Sequence, residues 1–152
     1  MPVIRLLCMV ASVMSIGEVE AQRLDTLWAR HRLLPLDSLV LREGNTSDLR
    51  LQCVLADIIA RHHLKEQHLP EMMKAALHGF ALAERLGNDT MLAQAGNTLG
   101  DAFVFRNAIS SALDCYNRAF AIAERSGLGG QMSSASCDIG FTYRILGDYE
   151  GA

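Results

Sequence analysis

The sequence has no run of basic residues and little net charge, which together argue against nucleic acid as a partner. Its 14 Lys and Arg are interspersed with 17 Asp and Glu, giving a formal net charge of -3. A nucleic-acid-binding domain usually carries a clustered basic patch instead. Proline is also scarce, with three in 152 residues, whereas half of the residues are hydrophobic. Scarce proline with frequent alanine and leucine favours helices over strands.

Cysteine pairs of the kind that build metal sites are absent. The four cysteines are Cys8, Cys53, Cys115 and Cys137, and none forms a C-x-x-C motif or stands at a metal-type spacing from a histidine. We therefore expect the cysteines to be small, buried, apolar residues on helices. A disulfide between two of the last three stays open, although the sequence does not support one.

No apolar run reaches the roughly twenty residues that span a bilayer as a helix. The N-terminus instead has Arg5, a mostly apolar run at residues 6–17, and small residues at Val19 and Ala21. This order is typical of a secretory signal peptide. We predict a signal peptide of residues 1–21, cleavage before Gln22, and export to the periplasm. The alternative is an N-terminal helix of a cytoplasmic protein.

The strongest signal is self-similarity at an offset of 40 residues. Residues 80–87 (FALAERLG) match residues 120–127 (FAIAERSG), and residues 99–103 match residues 139–143 in the same register. A weaker copy lies another 40 residues earlier. Apolar residues at three- and four-residue steps predict a first helix at about 92–106 and a second at about 109–125 in one copy. Repeats of this length indicate stacked supersecondary units.

Glycines and aromatic residues define how each unit should pack. Gly87 and Gly127 follow second helices, where glycine supplies a left-handed cap. Gly100 lies inside a first helix, where glycine costs about 1 kcal/mol relative to alanine, so we expect another backbone close to it, and likewise at Gly140. The aromatic residues expected to fill the core are Phe103, Tyr116, Phe120 and Tyr143.

These motifs resemble the tetratricopeptide repeat (TPR) family. The family's small-then-aromatic first-helix pattern is similar to Leu99-Gly100-x-x-Phe103 and Ile139-Gly140-x-x-Tyr143, and its second-helix pattern is similar to Ala112, Tyr116 and Ala119. The repeat is longer than the usual 34 residues, and the proline near the repeat end is missing. The resemblance implies an all-α fold of helix-turn-helix repeats stacked as an α-solenoid.

The expected organisation has three parts. After the signal peptide, residues 22–49 form an N-terminal helical cap or a divergent repeat, with a first helix ended by Pro35. Residues 50–152 form the repeats, at about 50–88, 90–128 and 130–152. The last copy stops at the opening of its second helix, so we expect the chain to be a fragment of a longer protein.

Catalytic and metal chemistry find no support in the sequence. The cluster His62, His63, His68 and His78 has no i, i+4 pair with a nearby carboxylate. The glycines at 127–130 are not followed by Lys-Ser/Thr, and no nucleophile–base pair can be named. We therefore expect neither a cofactor nor a metal, and no enzymatic activity in this segment.

The resemblance also implies where a partner would bind. In this family the concave face is lined by first-helix residues, which are here Asp57, Arg61, Asn97, Asp101, Val104, Cys137, Phe141 and Arg144. Mixed charge and apolar groups suit a protein or peptide ligand. The alternative is a merely solvated face.

Two functions remain open for such a surface. Long repeats after a signal peptide resemble the N-terminal sensory arrays of bacterial signalling proteins. That reading makes the chain a non-catalytic scaffold or sensory module, with a membrane-anchored output domain beyond residue 152, of the histidine kinase, diguanylate cyclase or transcriptional regulator type. The alternative is a free-standing cytosolic TPR adaptor.

Overall fold

The computed structural model describes residues 16–147, with side chains from residue 22 onward. Most of the predicted signal peptide, Cys8 among it, and the predicted second helix after residue 147 lie outside the described residues. Between residues 16 and 147 the chain is all-helical, which confirms the predicted fold class at that level. The helices are α1 (Ile16–His31), α2 (Leu36–Asn45), α3 (Leu49–Lys65), α4 (Leu69–Leu86), α5 (Asp89–Phe105), α6 (Ile109–Arg125) and α7 (Gly129–Leu146).

The helices repeat with the offset seen in the sequence. Helices α3, α5 and α7 begin at residues 49, 89 and 129, and α4 and α6 begin at residues 69 and 109. Helix α5 begins three residues earlier than predicted because Asn88 caps it, its side chain accepting from the Met91 N–H at 3.0 Å. The predicted left-handed glycines are confirmed, with φ of 64° at Gly87 and 67° at Gly127.

Helices pack both on their neighbours along the chain and on alternate helices. From α3 to α7 each helix packs on the next one along the chain, and α3, α5 and α7 also contact one another in order. Helix α1 rests on α3 and α5. We call the surface formed by α1, α3, α5 and α7 the first-helix surface. No helix in the described part of the chain is long and apolar enough to cross a membrane.

Small residues let the two helices of each pair approach closely. A Cβ built on Gly79 of α4 would lie 3.2 Å from the Cβ of Ala56 in α3. A Cβ built on Gly96 of α5 would lie 3.2 Å from the Cβ of Ala119 in α6. The two contacts are related by the 40-residue offset, with glycine and alanine exchanged. The structural repeat therefore extends to the packing of side chains.

Two expectations about the core need correction. Gly100 approaches the ring of Tyr116 and not another backbone, while no described atom lies near a Cβ built on Gly140. Of the four aromatic residues expected in the core, only Tyr116 is buried, and Phe103, Phe120 and Tyr143 are half-buried. Phe103 and Tyr143 lie in the last turns of α5 and α7, where fewer neighbours surround a side chain.

The cysteines differ from one another in burial. Cys53, Cys115 and Cys137 are all free thiols. Cys53 is buried as predicted and Cys115 is half-buried, whereas Cys137 is exposed. The prediction of a buried residue is wrong for Cys137, since no neighbouring helix covers this position among the described residues as α1 covers the equivalent position of α3.

Candidate functional site

The first-helix surface contains two adjoining cavities. The first has a volume of about 720 Å³ and is lined by polar and charged residues together with the apolar side chains of Trp28, Ile58 and Leu64. It includes residues of α1. The second has a volume of about 390 Å³ and is lined by Arg61, Gln94, Asn97, Asp101, Ser133, Ser134, Cys137 and Asp138. Arg61, Gln94 and Ser134 line both. The cavities therefore form one continuous recess across α1, α3, α5 and α7.

A buried carboxylate fixes the geometry between the two cavities. Asp57 of α3 is 5% exposed, and its Oδ2 accepts from Trp28 Nε1 at 2.8 Å and from Arg61 Nε at 3.0 Å. The Thr98 hydroxyl donates to Asp57 Oδ1 and accepts from the Arg61 guanidinium at 3.2 Å. A buried charge is tolerated when its lone pairs are filled in this way. The cluster ties α1, α3 and α5 together, and Asp57 raises the pKa of Arg61.

Asn97 presents the opposite situation. It is 3% exposed, yet neither its Nδ2 nor its Oδ1 has a hydrogen-bond partner among the described residues. Each buried polar group left without a partner costs about 1–3 kcal/mol. Asn97 also lines the second cavity, so a ligand in that cavity lies against this residue. One donor and one acceptor side by side match the N–H and C=O of an extended peptide.

Two more carboxylates line the second cavity. Asp101 of α5 accepts from the Tyr116 hydroxyl at 2.8 Å, and burial raises the pKa of its carboxyl above the usual value. Burial and the neighbouring Asp101 raise the pKa of Asp138 to about 6. Among the described residues, Arg61 is the one cation that lines this cavity, and it is already paired with Asp57. The cavity therefore carries an excess of negative charge.

The structure brings some of the predicted residues together and leaves others apart. Arg61, Asn97, Asp101 and Cys137 line the second cavity. Asp57 does not line this cavity, and both of its carboxylate oxygens accept hydrogen bonds from Trp28, Arg61 and Thr98. It therefore acts as a support and is unavailable to a ligand.

The remaining three predicted residues line neither cavity. Half-buried Val104 lines neither. Phe141 and Arg144 also line neither cavity and are exposed, with the Arg144 guanidinium carbon 5.1 Å from the centre of the Phe141 ring. They extend the stripe that begins at Cys137 along α7.

Sequence reasoning missed several residues that shape the site. Asp138 stands 40 residues after Thr98, and Ser134 stands 40 residues after Gln94, so the repeat offset carried the signal for all four. A first-helix surface two residues wide would have included Asp138 and Thr98. Trp28 had no such signal because no copy of the 40-residue pattern was detected in residues 22–49.

The described part of the chain contains no group of three or more His, Cys, Asp and Glu side chains that could hold a metal ion. The rings of His63 and His68 lie 6.0 Å apart, and neither ring lines the recess. Comparison of the chain with protein-family models, with curated proteins and with solved structures found no match. The geometry of this recess is therefore the basis for inferring a function.

Proposed function

We propose that this protein is a non-catalytic interaction module with a TPR-like α-solenoid fold, and that its first-helix surface binds an extended segment of a partner protein. The 40-residue recurrence of helix starts supports the solenoid, as do the contacts of α3, α5 and α7 in order. In such an array the first-helix surface is the concave face. Stacked repeats of this kind create extended concave binding surfaces.

The unpartnered amide of Asn97 is the observation that carries the proposal. A peptide in the recess gives Asn97 both a carbonyl and an N–H, and so removes the cost of its burial. The peptide gains two hydrogen bonds whose protein half is already positioned on a packed helix. Recognition of backbone groups tolerates many sequences, and the neighbouring side chains then set the specificity.

We propose further that the module serves as a scaffold or sensor, with export as the favoured location. The apolar run at residues 6–17 and the small residues Val19 and Ala21 support export. A cytosolic adaptor is the alternative, and the two readings share the same binding surface.

An array of immobilised, capped nonapeptides tests the binding proposal. We expect the protein to retain a subset of them, with affinities measured by fluorescence anisotropy. Replacing Asn97 with alanine should weaken these affinities roughly 5- to 150-fold, because two hydrogen bonds of about 0.5–1.5 kcal/mol each are lost. Its stability should not fall, because the group removed is unpaired.

The matched control is Asn117→Ala, which changes an exposed asparagine on α6, away from the recess. It should leave the affinities unchanged. Equal losses in the two variants would contradict the assignment of the surface. Retention of no peptide by the unaltered protein would contradict the function.

A further inference from the structure

Charge is distributed unevenly along the recess. Arg32, Arg61 and Lys65 line the first cavity together with a single carboxylate, Asp25. The second cavity has Asp101 and Asp138 and shares Arg61. A ligand that lies along the recess therefore meets opposite fields at its two ends, and electrostatic complementarity of this kind fixes register and partner choice.

The two acids of the second cavity share one nearby cation, Arg61, whose charge partly offsets the rise that burial causes in the pKa of each. Arg61 is also bound to Asp57 through Nε and to Thr98 through Nη2, so its described hydrogen bonds go to these two residues and not to the acids. Asp101 has one described partner, the Tyr116 hydroxyl. Burial and the charge of Asp101 raise the pKa of Asp138, so the two carboxylates repel, and a cation that contacts both relieves that repulsion.

Asn97 is a second and independent feature of the same cavity. It lines the cavity, and its buried amide lacks hydrogen-bond partners among the described residues, so a donor and an acceptor stay unpaired in a residue next to the two acids. A volume of about 390 Å³ lies within the range of small-ligand pockets and exceeds what a single water molecule fills.

We propose that the second cavity binds a basic side chain, arginine or lysine, of the extended peptide that the first-helix surface recognises. The inference rests on the proposed function and names the residue class that the surface selects. Asp101 and Asp138 contact the cation, and Asn97 holds the peptide backbone next to it. A guanidinium can bridge two carboxylates with its planar set of N–H donors, so arginine binds better than lysine.

Capped, fluorescein-labelled nonapeptides of alanine and serine that differ only at the central residue serve as the probe. The central residue is arginine, lysine, norleucine or glutamate. In anisotropy titrations the arginine peptide should bind about tenfold or more tightly than the norleucine peptide. A difference of this size is what one hydrogen bond to a charged group contributes to affinity. The glutamate peptide should bind worst.

Asp138→Asn and Asp101→Asn should each lower the preference for arginine over norleucine. The amide oxygen introduced by Asp101→Asn can still accept from the Tyr116 hydroxyl, so the fold is retained. The matched control, Asp114→Asn, removes the same charge from an exposed position on α6 and should leave the preference intact. An equal reduction by Asp114→Asn would show that only the net charge matters, and would overturn the site.

The other outcomes also decide the question. If all four peptides bind equally well and Asn97→Ala weakens all four, the binding surface stands and the inference about the basic side chain is wrong. If none binds, both fail. If putrescine displaces the arginine peptide with an affinity equal to that peptide's own, the cavity is a site for small amines and the assignment to a peptide is wrong.

Discussion

Gly100 allows the sharpest test of the repeat packing, because Gly140 provides a matched control 40 residues later. A Cβ at Gly100 would lie 2.7 Å from Cδ1 and 2.8 Å from Cζ of Tyr116, and closest to Cε1. Tyr116 is 2% exposed and its hydroxyl is bonded to Asp101, so the ring has little room to move. A Cβ at Gly140 meets no described atom within 4 Å.

The magnitudes follow from three effects. Overpacking a core usually costs about 1–3 kcal/mol. Displacing the Tyr116 hydroxyl from Asp101 adds about 1 kcal/mol. Alanine has a higher helix propensity than glycine, which stabilises the helix by about 1 kcal/mol. We therefore expect Gly100→Ala to lower the free energy of unfolding by about 1–3 kcal/mol, and Gly140→Ala to raise it by up to about 1 kcal/mol.

Urea unfolding followed by circular dichroism at 222 nm measures both changes. A double-mutant cycle with Tyr116→Ala isolates the contact. The positions 40 residues before Gly100 and Tyr116 hold Ala60 and Ala76, which are buried in one cluster of the first helix pair. The double variant therefore reproduces a combination that already packs in this fold. In the Tyr116→Ala background Gly100→Ala should become neutral or stabilising. If Gly100→Ala is as stable as Gly140→Ala in the native background, the reasoning about this contact is refuted.

Three further predictions concern Asp57, Asp138 and the N-terminus. Asp57→Asn should lower the free energy of unfolding, measured in urea, by about 2–4 kcal/mol, because Trp28 and Arg61 lose a charged acceptor. The exposed control Asp114→Asn should have a smaller effect, and an equal loss in the two variants would contradict this role of Asp57. Burial raises the pKa of Asp138 from 3.8 to about 6, so its contribution to stability falls as pH rises from about 4 to 6. At pH 7 the free energy of unfolding of Asp138→Asn should therefore exceed that of the unaltered protein by about 1 kcal/mol, a value that allows for solvent screening. The difference should disappear near pH 4, and a difference that stays constant with pH would contradict the raised pKa. N-terminal sequencing after expression in a secretion-competent bacterium should find Gln22 first, and an intact N-terminus on cytosolic protein would argue for the adaptor.

The helix pairs could be predicted from the sequence because their signals are local. Three- and four-residue spacing fixes a helix, glycine ends it, and the 40-residue offset transfers one copy's pattern to the next. The places of Asn97 and Asp101 on the first-helix surface were implied by the repeat family that the sequence resembles, transferred position by position. Asp138 was missed because the transfer did not include the position after Cys137.

The burial of individual side chains could not be predicted in the same way. Asp57, Asn97 and Cys137 occupy equivalent positions, yet the first two are buried and the third is exposed. The difference arises from what covers each helix, since Asp57 meets Trp28 of α1 across 29 residues of sequence. A contact that joins a repeat position to a residue outside the 40-residue pattern, as this one does, has no periodic signal in the sequence.

The most direct test of the central claim is the side-chain amide spectrum of protein labelled with ¹⁵N at its five asparagines. Titration with the arginine-centred nonapeptide should shift the side-chain signals of Asn97 as two new hydrogen bonds form. The signals of exposed Asn117 on α6 should stay in place. A peptide that binds while the Asn97 signals do not move would contradict the claim that the first-helix surface recognises an extended peptide.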